Sequence, residues 1–181
     1  MVGLLVALVG VGGTLGSAWL TQRRDDAARR EDREHLERVR LAEVADRHFH
    51  ETANLRKSAY TAFNSAARNY LACLNDYTHA LRLGAEQDET LDTVETARRA
   101  YRQQYAEAQM IVPDTVLSEV RRVNNCLGAV YGILTRITRG IPRNGEDIAA
   151  ARDRIKEAWQ VLSDMRATMR ADLKVTGPSY D

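Results

Sequence analysis

From residue 52 onward the chain repeats apolar residues at a spacing near 3.5, in four runs that glycine or proline separates. The first is Tyr60, Phe63, Ala67, Tyr70, Leu74, Tyr77 and Leu81, closed by Gly84. The second, Leu91, Val94, Ala97, Tyr101, Tyr105, Ala108 and Val112, stops at Pro113, because the residue before a proline is disfavoured in helix. The third runs Val116, Val120, Val123, Leu127, Val130, Leu134 and Ile137 until Gly140, Pro142 and Gly145 break it. The fourth is Ile148, Ala151, Ile155, Trp159, Leu162, Met165 and Met169. A period of 3.5 builds one apolar face per helix, and strand alternation competes nowhere. Turns near 84–88, 112–114 and 140–146 are short enough to force neighbouring helices antiparallel. The expectation is an all-α protein, with an antiparallel four-helix bundle over 52–174 and a flexible tail at 175–181. The first and third turns then share one end of the bundle, and Asn144-Gly145 is the natural tip there for a specific contact.

The opening of the chain obeys a different rule. Val2 to Leu20 carries no charged residue over 19 positions. At about 1.5 Å per residue such a helix spans roughly 28 Å, close to the hydrocarbon thickness of a bilayer. Trp19 stands where an interfacial aromatic belongs, and Gln22-Arg23-Arg24 ends the run with groups that lipid rejects. A transmembrane helix over 2–20 is the expectation. A cleaved signal peptide is the rival, since Gly16-Ser17-Ala18 offers small residues for cleavage. Arg23, Arg24, Arg29 and Arg30 follow the run, and by the positive-inside rule they place the large domain in the cytoplasm. Gly12 and Gly16 form a G-x-x-x-G pair with Gly13 and Ser17 beside it, a face on which two helices approach closely in lipid. Glycine is common in membrane helices in any case, so the pair implies a homodimer only weakly.

Between these parts, residues 22–51 hold eight arginines and nine acidic residues, with no glycine or proline. Opposite charges recur at helical spacing: Asp25 with Arg29, Asp26 with Arg30, Arg30 with Glu34, Glu34 with Arg38, Glu43 with Arg47. Each pair adds about 0.2–0.5 kcal/mol to a helix. Residues 21–51 therefore read as a charged helical connector. Leu36, Val39, Ala42 and Phe49 give it a thin apolar stripe suited to a short coiled coil, too broken to form regular heptads.

Residues with chemical potential are scattered. Asp32 with His35 and Asp76 with His79 share the Asp-x-x-His spacing that metal sites in bundles use, yet the inward positions of the other helices are aliphatic or aromatic. His48 and His50 fall on different helical faces. Tyr60, Tyr70, Tyr77, Tyr101, Tyr105 and Tyr131 lie mostly on the apolar stripes, as core aromatics with a polar tip do. Cys73 and Cys126 read as small buried hydrophobes, with a disulfide in an extracytoplasmic domain or a reactive thiol as the alternatives. Asn124-Asn125 sets a polar pair among apolar neighbours, one of them directed into the bundle or toward a partner. Phosphate-binding, zinc-protease and nucleophile-elbow motifs are absent from the sequence. With 26 basic against 25 acidic residues, no nucleic-acid footprint stands out.

The order of a glycine-rich apolar start, Gln22-Arg23-Arg24, a charged helix and then Lys57-Ser58-Ala59-Tyr60-x-x-Phe63 resembles small single-pass membrane proteins of actinobacteria, some of them KilB-like. The resemblance implies membrane attachment and a link to plasmid spread; it brings no catalytic residues. The combined expectation is a membrane-anchored, non-enzymatic helical module that contacts lipid and binds or scaffolds protein partners, without cofactor or metal. The alternatives are an extracytoplasmic sensor-type bundle and a bundle-borne metal enzyme.

Overall fold

The structure, a computed structural model, describes residues 2–84 and 88–175, with side chains from residue 35 onward. The expected membrane span at 2–20, with its Gly12, Gly13, Gly16 and Ser17 face, falls among residues whose side chains lie outside that set. Positions 176–181 of the expected tail lie outside it altogether. Among the described residues no helix is long and apolar enough to cross a membrane, and no strand occurs.

Among the described residues there are four helices: α1 (Val2–Leu83), α2 (Asp88–Ile111), α3 (Asp114–Thr138) and α4 (Ile148–Asp172). By internal contacts the chain divides into two units, Met1–Glu51 and Thr52–Asp181. In the first unit the described side chains are all exposed, including Leu36, Val39, Ala42 and Phe49 of the thin stripe. His48 approaches Glu51 at 3.7 Å and His50 approaches Asp46 at 3.5 Å, both in solvent.

In the second unit the helices begin and end where local chemistry stops them. Gly84 ends α1 at φ +64°, a left-handed conformation open to glycine without strain. Asp88 and Glu89 put negative charge in the first turn of α2, where the helix dipole favours it. Pro113 caps α3 with its ring-fixed φ of −70°. At the other end of α3, Ile141 N–H donates to Arg136 O and Gly140 N–H to Ile137 O, both at 3.0 Å. These two bonds close the helix in the Schellman manner, with Gly140 left-handed at φ +71°. Asp147 caps α4 by accepting from Ala150 N–H at 2.7 Å. Its far end repeats the Schellman pattern, Val175 N–H to Arg170 O and Lys174 N–H to Ala171 O, with Lys174 in the left-handed position.

Side-chain pairings fix the directions of the helices. Phe63 meets Tyr105 while Tyr70 stacks on Tyr101, so α1 and α2 run antiparallel. Tyr101 bonds Asn124 while Tyr131 bonds Glu95, so α2 and α3 do as well. Tyr60 near the start of the bundle reaches Asp172 at the end of α4 at 2.6 Å. Tyr77 reaches Thr138 on α3 at 2.9 Å, both late in their helices, so α1 and α3 run parallel. The second unit is an up-down helical bundle.

Its core is one continuous cluster from Tyr60 to Met169. Phe63, Leu71, Leu74, Leu127, Leu134, Leu162 and Met165 are fully enclosed. The third run is buried from Val116 to Leu134 as expected, and Ile137 packs against the core from its edge. Leu81, Leu91 and Tyr105 likewise sit at the edge, and Leu71, Ala80, Ile133 and Val161 join the interior. Two positions of the fourth run depart from expectation: Ile148 is half-buried outside the core cluster, and Trp159 is 38% exposed while Ala158 takes its place inside at 2%. The inward set of α4 is thus Ala151, Ile155, Ala158, Val161, Leu162, Met165 and Met169, which apart from Val161 step by four and three in alternation. The physical reason is space. α4 approaches α3 more closely than α2 does, and Ala158 stands where the interior leaves room for a methyl group and not for an indole. Between α1 and α2 the rings of Phe63, Tyr70, Tyr101 and Tyr105 pack together, with centroids 5.4 to 6.3 Å apart.

Candidate functional site

The residues singled out as candidates for chemistry do not assemble. Asp76 and His79 are exposed together in a cleft with Asn75, Thr78, Arg82 and Arg152, where the His79 ring takes its bond from Arg82 at 3.2 Å. Among the described residues no three histidine, cysteine or carboxylate side chains gather at a metal-binding distance. Cys73 and Cys126 are free thiols, half-buried against the core, and burial pushes both above the ordinary thiol range. Asn124 turns inward and accepts from the Tyr101 hydroxyl at 3.4 Å, while Asn125 is exposed.

A better site lies among α1, α2 and α3, near the end of the bundle that carries the first and third turns. It is a half-open pocket of about 260 Å³. Leu74, Tyr77 and Leu134, all at least 98% buried, make its floor. Leu91, Glu95 and Tyr131 form the walls, and Thr135, Thr138 and Arg139 the rim. The helical period explains the grouping. Leu74 and Tyr77 are adjacent on the inward stripe of α1, Leu91 and Glu95 are one turn apart on α2, and Tyr131, Leu134, Thr135 and Thr138 climb one side of α3.

The polar groups of the pocket hold one another. Tyr131 donates to Glu95 Oε1, and Arg98 reaches Glu95 Oε2 at 3.4 Å while lying 4.0 Å over the Tyr131 ring. Burial, with the Glu95 carboxylate at its hydroxyl, raises the Tyr131 phenol above its ordinary range, so it stays a donor. Thr135 donates to Tyr131 O at 2.8 Å and Thr138 to Leu134 O at 2.9 Å. Because Thr138 has spent its only hydrogen, the 2.9 Å contact with Tyr77 is a donation from the Tyr77 hydroxyl. Arg139, exposed at the rim, has no carboxylate within ion-pair distance among the described residues.

The adjacent turn is braced. Arg136 holds Glu146 through both Nε, at 2.7 Å, and Nη2, and the Arg143 N–H adds a third bond at 3.0 Å. Those donors hold the Glu146 carboxyl down at about 2. Asn144 and Gly145, the expected contact tip, are exposed on this braced turn, with Gly145 at φ +79°. The pocket itself escaped the sequence. Its signal was a set of polar residues flanking the apolar stripes, Glu95 beside Val94 and Thr135 beside Leu134, which reads like any solvated helix margin.

Fold and site together define an all-α protein whose helical bundle carries a small, apolar-floored pocket and no assembled catalytic cluster among the described residues. Compared with family models, curated proteins and solved structures, the chain matches none.

Proposed function

We propose that this chain is a membrane-tethered helical module that binds or scaffolds protein partners without catalysing a reaction. The observation that carries the reading is the 19-residue run from Val2 to Leu20, free of charge and followed at once by Gln22-Arg23-Arg24. The backbone is helical through that run and on through the charged stretch, since α1 extends from Val2 to Leu83. An apolar helix leading into a charged one and then a bundle suits a domain presented at a membrane surface. The likeness to KilB-like actinobacterial proteins extends the proposal to plasmid spread. By the positive-inside rule the bundle sits on the cytoplasmic side.

The pocket favours a second reading, an extracytoplasmic bundle that senses a small ligand, for which the topology is reversed. A fusion of alkaline phosphatase or a fluorescent protein after Asp181 separates the two. Cytoplasmic fluorescence with no phosphatase activity is the expected result; active phosphatase overturns the cytoplasmic placement. Crosslinking and pull-down from native membranes then tests for a partner, and a chain recovered alone contradicts the scaffold role.

A further inference from the structure

The pocket among α1, α2 and α3 has a lining that selects by charge. Above a closed floor of Leu74, Tyr77 and Leu134, the half-buried Leu91 and Tyr131 supply the apolar surface that a ligand covers with an apolar body. Its hydroxyls are committed: Tyr77 to Thr138, Thr138 to Leu134 O, Thr135 to Tyr131 O and Tyr131 to Glu95. Glu95 has both oxygens engaged, one by Tyr131 and one by Arg98, so its charge is matched inside the protein. An ammonium entering the pocket would compete with Arg98 for a carboxylate already paired. What remains is Arg139, whose guanidinium offers a fork of donors suited to a carboxylate and which has no ion-pair partner among the described residues. Within the lining Glu95 and Arg139 are the two charged groups, and with Glu95 held by Tyr131 and Arg98, Arg139 is the charge left for a ligand.

We infer that this pocket binds a small amphipathic monoanion, a carboxylate on a compact aromatic or aliphatic body, with the body against Leu91 and Tyr131 and the head at Arg139. A volume of about 260 Å³ limits the body to one ring or a short chain and excludes a long acyl chain or a nucleotide. The inference is independent of membrane attachment and of which side of a bilayer the bundle faces, since every group it uses belongs to the second unit.

The test is isothermal titration of the purified full chain with three probes of one shape: phenylacetate, 2-phenylethanol and phenethylamine. Phenylacetate is expected to bind at least about tenfold more tightly than the other two. Arg139→Gln, an exposed change that leaves the core intact, is expected to lower phenylacetate affinity by about tenfold, and Arg139→Glu to abolish it. Leu91→Phe narrows the pocket and is expected to weaken all three probes together, with thermal melts showing each variant folded. Absence of phenylacetate binding to the folded wild-type chain overturns the inference. So does tighter binding of phenethylamine, which would make Glu95 the recognising group, and so does phenylacetate binding that Arg139→Gln leaves unchanged.

Discussion

Lys174 holds a left-handed backbone, φ 53°, at the position that follows the last helical turn of α4. Its Cβ crowds the backbone there, a cost that glycine avoids. Lys174→Gly is expected to raise unfolding free energy by about 0.5–1 kcal/mol, read from chemical denaturation. Glu146 makes a different argument at the same scale. Its carboxyl, ordinarily near 4.5, is held at about 2 in the folded chain, chiefly by the Arg136 guanidinium. A depressed folded value means the stabilisation is present above the unfolded value and is lost as pH falls from 4.5 toward 2. Glu146→Gln is therefore expected to melt at lower temperature than wild type at neutral pH, with the gap closing as pH is lowered through that window. A gap that stays constant down to pH of about 2 contradicts the linkage. The Arg136 and Glu146 side chains still meet solvent, at 26% and 15% exposure, so water screens the pair and the effect is small beside a core change.

At the scale of helices, the inward seam of α4 depends on small residues. Ala158→Leu places three extra carbons where a buried alanine is 2% exposed, and overpacking of this kind costs about 1–3 kcal/mol. Trp159→Ala, one position away, removes a side chain that is 38% exposed and is expected to cost less than the Ala158 change. Denaturant midpoints for the two variants give the comparison; equal losses contradict the seam. This pair also shows how far a sequence carries. All four bundle helices, their turns and nearly all of the inward stripe were legible, because a period of 3.5 and the breakers Gly84, Pro113, Gly140 and Gly145 state them directly. Trp159 misled because hydrophobicity outranks alanine on any scale, while burial at a seam is decided by volume and by the alternation of four and three. The pocket was illegible for a related reason. Glu95, Thr135 and Thr138 acquire meaning only when α1 and α3 bring Leu74, Tyr77 and Leu134 beneath them, and a linear pattern holds no record of that closure.

For the whole molecule, the first unit presents Leu36, Leu41 and Phe49 at more than 60% exposure, an unusual display for a helix meant to stand alone in water. Pairing of two chains through this segment and through Gly12 and Gly16 would cover part of it. Gly12→Leu and Gly16→Leu are expected to shift the detergent-solubilised mass from dimer toward monomer, and an unchanged mass removes the glycine face from the account. The tether itself is the claim on which the rest is built, and it answers to vesicle flotation after an alkaline carbonate wash. The full chain is expected to float with lipid, and the Val6→Asp/Val9→Asp variant, which puts two charges into the apolar run, to stay in the load. Wild-type chain left in the soluble fraction, or a doubly charged variant that floats as well as wild type, contradicts it.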